Sequence, residues 1–216
     1  MAHISPICRG LSVQSNKWVL FLTLIVHGCL LGGSVYASDG AEIAKKCDGC
    51  HGVNGHSEDP EVPSIGGFSE FGIVDLLESY RNGNRQARRY KTADGKETDM
   101  TKVARRLSED DAFAVGEHYA NQTWKPHEQQ FDLELARRGA QVHDIKCDKC
   151  HSEYGSAAED DLAIMSGQWR QYLEMEFDDF DSGERKMSRK MKEKYDTLSA
   201  EDKKAILELY VSGRNL

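Results

Sequence analysis

Two five-residue segments carry most of the chemistry open to this chain: Cys47-Asp48-Gly49-Cys50-His51 and Cys147-Asp148-Lys149-Cys150-His151. Each is a C-x-x-C-H motif, the attachment signature of c-type haem. The two thiols add across the two vinyl groups of the haem, which fixes their spacing. The adjacent histidine is then placed under the iron as its proximal ligand. The same cysteines could instead make a zinc site or redox-active disulfides. The redox reading expects a βαβ context, which the pattern lacks. A zinc site needs four ligands close in space, so the fold would have to bring both motifs together.

An iron that only carries electrons needs a sixth ligand, and a methionine thioether in that place raises the potential. Met100 lies 49 residues after His51, and Met191 lies 40 after His151. Both stand eight residues before a serine that opens a predicted helix. The expected iron ligands are therefore His51, Met100, His151 and Met191. Met187, one helical turn earlier, is a rival to Met191. Met165 and Met175 read as core or surface residues. The second ring nitrogen of the proximal histidine needs a backbone carbonyl, and Pro63, 12 residues after His51, is placed to supply it. Ala163 stands there in the second half, so the two haems are expected to differ in potential. His56 is too near the first motif to reach the opposite haem face. His118, His127 and His143 could serve a bis-histidine scheme, but surface or packing roles fit them better. Arg81, Arg85, Arg88, Arg89 and Lys91 form a basic cluster that reads as a solvated face, with docking or haem-propionate pairing as the alternative.

The elements that must position these residues come from an internal repeat. At an offset of 100 the motifs coincide, and Gly67 pairs with Gly167, Tyr80 with Phe180, Gly83 with Gly183 and Arg85 with Arg185. The first half then carries nine extra residues, after which Met100 pairs with Met191, Ser108 with Ser199 and Tyr119 with Tyr210. The pattern is mostly helical. One helix precedes each cysteine pair, one lies near the middle (about 70–82 and 168–181), and one closes each half (109–120 and 200–211). Ser108 with Asp111, and Ser199 with Asp202, are capping-box starts. Gly83 and Gly183 are helix stops. The polar segment from Asn121 to Gln130, with Pro126, is the expected join. Each half is short and poor in large apolar side chains, so a cofactor at its core would supply missing contact.

The chain has 216 residues and a mean hydropathy of −0.62. Arg9 and Lys17 precede an uncharged run from Trp18 to Leu31, and Val35-Tyr36-Ala37 follows. That order reads as a secretory signal peptide over residues 1–37. An uncleaved anchor fits less well, because the run is short for a span. A lipoprotein signal at Cys29 is weakened by His27. Cys8 and Cys29 leave with the leader, so no mature cysteine falls outside the motifs. The mature chain would hold 26 Lys and Arg against 36 Asp and Glu, a formal net of −10. That argues against nucleic acid and anionic membrane surfaces as partners, and no stable membrane insertion of the mature chain is expected.

At these residues the sequence resembles the bacterial dihaem class I cytochromes. The segments Asn121 to Pro126, Gly139-Ala140, His143-Asp144, Ser166 to Trp169, Tyr172-Leu173 and Met187 to Met191 are similar to the cytochrome subunit of flavocytochrome c sulfide dehydrogenase. Tyr80 to Arg85 is closer to the cytochrome c-four group. The resemblance implies an all-α fold of two tandem class I cytochrome c domains, 38–120 and 131–216 with a linker at 121–130, each wrapped around one covalently bound haem c. It further implies a periplasmic electron carrier, not an enzyme by itself. A separate flavoprotein subunit would oxidise sulfide, and a soluble cytochrome or oxidase would accept the electrons. The chain has no G-x-G-x-x-G fingerprint, so the flavin would sit on another polypeptide. A free-standing shuttle to a terminal oxidase is the alternative. A haem enzyme is a third reading, disfavoured because catalysis at iron needs an open ligand position.

Overall fold

The computed structural model describes residues 39–92 and 94–216, so the expected leader lies outside the described residues. Eight helices are followed here: α1 (Gly40–His51), α2 (Glu70–Arg81), α3 (Met100–Ala104), α4 (Glu109–Ala120), α5 (Leu133–Lys146), α6 (Arg170–Ser182), α7 (Arg189–Tyr195) and α8 (Ala200–Val211). A two-residue hairpin, β1 (Tyr90–Lys91) with antiparallel β2 (Glu97–Thr98), lies in the stretch where the first half is longer. Both closing helices start on complete capping boxes. Ser108 and Ser199 accept from the backbone of Asp111 and Asp202, whose carboxylates accept in return. Helix α6 begins two residues later than the pattern suggests, because Gln168 is drawn away to Ser64. Gly183 ends it in the left-handed conformation.

The two halves repeat one packing plan. Helix α1 crosses α4, and α5 crosses α8. A Cβ on Gly40 would stand 2.1 Å from the Ala114 carbonyl oxygen, and one on Gly139 would stand 2.1 Å from that of Ala205. Only glycine permits so close an approach. Ala114 and Ala205 each precede the paired tyrosine (Tyr119 or Tyr210) by five residues, so Gly40 and Gly139 are structural equivalents. The loops match as well: Gly67 N donates to Tyr119 O at 2.8 Å and Gly167 N to Tyr210 O at 2.6 Å. One apolar core gathers Phe68, Ile73, Leu77, Val115 and Tyr119, and a second gathers Leu173, Ile206, Leu209 and Tyr210. Burying each such side chain contributes roughly 1.5–3 kcal/mol.

The halves are joined through polar contacts and through Ile164, which is buried in the first half's apolar core. Arg85 and Arg185 pair in an isolated antiparallel bridge, flanked by Gln86 N to Glu184 O at 2.9 Å and Lys186 N to Asn84 O at 2.7 Å. The Gln168 amide exchanges hydrogen bonds with the Ser64 backbone, and Trp169 Nε1 donates to Ser57 O at 3.0 Å. The 121–130 segment is packed into this seam. Trp124 donates to Ser166 O, and His127 stacks on Trp169 with ring centroids 3.8 Å apart. Among the described residues no helix is long and apolar enough to cross a membrane.

Candidate functional site

In the first half, α1 runs unbroken through Cys47, Cys50 and His51. These three residues line one end of a cavity of about 1080 Å³, and Met100 lines it too. The cavity wall is the apolar core of Phe68, Ile73, Leu77 and Val115. The sequence-expected pair, His51 and Met100, thus lines one cavity. Met100 is held there as the first residue of α3, whose N-cap Asp99 accepts from Lys102 N at 2.8 Å. His51 is buried, and its Nδ1 lies 2.9 Å from Pro63 O. A carbonyl only accepts, so Nδ1 carries the proton and Nε2 keeps its lone pair. Burial also lowers the His51 pKa, which favours the neutral, ligating imidazole. The expected role of the Pro63 carbonyl is met in this geometry.

The second half differs at its motif. Gly139 precedes Cys147 by eight residues, whereas Gly40 precedes Cys47 by seven. One extra residue turns a side chain by about 100° on a helix of 3.6 residues per turn. The chain absorbs it by ending α5 at Lys146: Cys147 N and Asp148 N both donate to His143 O, at 2.7 and 2.9 Å. Cys147 through His151 then lie in turns. His151 Nδ1 is buried without a hydrogen-bond partner. Burial, followed by the neighbouring His143, lowers the His151 pKa. His143 takes the place of Ala44, four residues after the crossing glycine. It is fully buried, edge-on to Tyr154 and Tyr210 at 5.5 and 5.9 Å, with neither ring nitrogen paired. Met191 is half-buried on α7, its N–H bonded to the N-cap Ser188 at 3.2 Å. It keeps the register of Met100, four residues before the buried Tyr195 as Met100 is before Ala104. Met187 lies just ahead of that helix.

The four cysteines form no disulfide. Burial raises the Cys47 and Cys50 thiols and pushes Cys147 up to about 11. His56, His118, His127 and His143 pack against other rings, and none lines the cavity.

The basic cluster is not a uniformly solvated face. Arg81 donates to the carbonyls of Ala104 and Leu107, both at 2.8 Å, and pairs with Glu78. Arg85 is 5% exposed and pairs with Glu176 of α6, while Arg88 pairs with Asp179. Tyr172, Met175, Glu176 and Asp179, all from the second half, line the first cavity. Reading the halves as separate units misses them. Their signal is acidic residues one turn apart on α6, complementary to the arginines between Gly83 and Arg89. The residues present fit a haem. A cavity of this size joins two thiols, a neutral imidazole and a thioether. Arg85 lines the same cavity and would offer its guanidinium to a haem carboxylate.

The helical fold and the paired motifs are those of class I c-type cytochromes, electron carriers that bind haem c covalently. The cytochrome c family model matches residues 37–120. Cytochrome c4 of Pseudomonas aeruginosa is 26% identical over 173 residues, 77% of this chain and 81% of that protein. The chain is a cytochrome c4-like electron-transfer protein. Reduced cytochrome c4 from Pseudomonas stutzeri shares the fold, with a TM-score of 0.62 at 22% identity over 81% of this chain and 98% of that one. So does a thiosulfate dehydrogenase from Marichromatium purpuratum, with a TM-score of 0.64 at 19% identity, covering 81% of this chain and 39% of that one.

Proposed function

We propose that this chain is a periplasmic dihaem cytochrome subunit that accepts electrons from a sulfide-oxidising flavoprotein and passes them to a soluble cytochrome or an oxidase. In this reading residues 1–37 are a cleaved signal peptide, and domains 38–120 and 131–216 flank a linker at 121–130. Cys47, Cys50, Cys147 and Cys150 hold two haems. His51 with Met100, and His151 with Met191, ligate the irons. Each haem would supply one-electron exchange at its iron. The chain's own residues do the rest. The thioethers anchor the cofactor, Pro63 O orients His51, the apolar wall excludes water, and the Arg85 guanidinium receives carboxylate charge.

The observation that carries the carrier role is the first cavity, which is lined both by a histidine held by the Pro63 carbonyl and by a methionine. The flavoprotein partner rests on the second-half segments from Asn121 to Met191. The likeness of the fold to a thiosulfate dehydrogenase is consistent with a place beside an enzyme subunit. The free-standing shuttle is the second reading, favoured by the c4 relative that spans most of the chain. Isolation of the native complex, with flavin and haem quantified, separates them. One flavin with two haems, reduced by sulfide, establishes the first. Two haems without flavin or sulfide response establish the second.

A further inference from the structure

We propose that Glu176, a residue of the second half, is the positioning residue that sets the reduction equilibrium of the first haem; this rests on the dihaem reading above. Glu176 lies on α6 and is 8% exposed. Its two carboxylate oxygens accept from different arginines, Oε1 from Arg85 and Oε2 from Arg185. The arginines themselves are related by the repeat. Their backbones pair in the antiparallel bridge, and each guanidinium lies over the equivalent ring, Arg85 over Tyr80 at 4.8 Å and Arg185 over Phe180 at 4.6 Å. The acid is not repeated: its counterpart in the first half is Leu76. One carboxylate therefore serves two buried or half-buried cations, and the junction keeps a net positive charge.

That charge sits at the first cavity, which both Arg85 and Glu176 line. Arg85 spends one nitrogen on Glu176 and on the Tyr172 hydroxyl at 3.0 Å, and leaves buried Nε unpaired. The carboxylate thus performs two tasks. It fixes the direction of the guanidinium, and it offsets one of the two arginine charges that it bridges. Reduction adds an electron to the site, so uncompensated positive charge favours the reduced state. Charges in such a buried, water-poor setting are weakly screened. An ion pair kept for structure alone would be symmetrical between the halves or indifferent to the redox state.

The test is a spectroelectrochemical titration of the purified haem-loaded chain and two single variants. Glu176→Gln removes the negative charge and keeps the shape. It should shift the first haem's equilibrium toward reduction by on the order of tenfold, and each factor of ten is 59 mV for a one-electron couple. Arg185→Gln removes a positive charge and should shift the same wave in the opposite direction. The second wave should move less in both. Opposite shifts support the assignment, because loosening of the seam would move both variants the same way. A wave unmoved in either variant, or equal shifts of one sign, overturns it. A parent chain without two one-electron haem waves overturns the dihaem reading itself.

Discussion

Both halves place a C-x-x-C-H motif after a helix crossed at glycine, yet they present the histidine differently. In the first, the cysteine comes seven positions after the crossing glycine, the helix continues through His51, and Pro63 O pins the ring. In the second, the cysteine comes eight positions after the crossing glycine, α5 stops at Lys146, and His151 Nδ1 is buried without a partner. A single residue of helix phase thus decides whether the motif lies on a helix or in a turn. The cavity teaches a second asymmetry. The first half's site is closed partly by α6 of the second half, so the environment of one site is set by both halves. Two sites built from one plan are thereby given different hydrogen bonding and different charge, the levers by which a protein tunes haem potential.

The largest expected effect breaks the equivalence at iron. Met191→Ala should abolish the methionine-ligation absorption band of one haem and leave the other intact, and Met100→Ala should do the converse. Met187→Ala should leave both bands. If Met187→Ala removes the band and Met191→Ala does not, the register of the second half is wrong.

The glycine crossings come next. Gly40→Ala and Gly139→Ala each force a Cβ into a backbone carbonyl, and each should cost roughly 1–3 kcal/mol in denaturant unfolding. A near-neutral Gly139→Ala would dissolve the offset on which the phase argument stands.

The seam between the halves should respond to acid. Burial, followed by neighbouring His56, lowers the His127 pKa to about 4 from 6.5. Its Nε2 lies 2.9 Å from Ser64 Oγ. The unfolded chain binds the proton first, so this contribution is complete above about 6.5, falls as pH drops, and is lost by about 4. Thermal melts across that window should flatten in His127→Gln.

The smallest effect sharpens the phase argument. Deleting Ile145, which is 78% exposed, brings the cysteine to seven positions after the crossing glycine, as in the first half. The helix should then run through the second motif. Amide exchange should slow at Cys147 and Asp148, with little change in global stability.

Much of this was legible from the chain. The closing helices fall at 109–120 and 200–211 as patterned, because their capping boxes are local and complete. Pro63 is recognisable because its spacing from His51 is fixed by a short loop. Helix phase was not legible: aligning the cysteines pairs the motifs but hides that Gly139 answers Gly40. The packing against Ala114 and Ala205 reveals it. The arginines read as a solvated run because their acids lie about ninety residues away on α6. His127, inside a polar joining segment, gave no sign that Trp169 would cover it.

In the proposed reading each half holds its own covalent haem. Intact-mass measurement of the mature chain and of two variants, Cys47→Ala/Cys50→Ala and Cys147→Ala/Cys150→Ala, tests it directly. The account predicts the mass of two haems on the parent and of one on each variant, with the residual ligand-field band differing between them. A parent carrying a single haem, or one variant that still carries two, would contradict it.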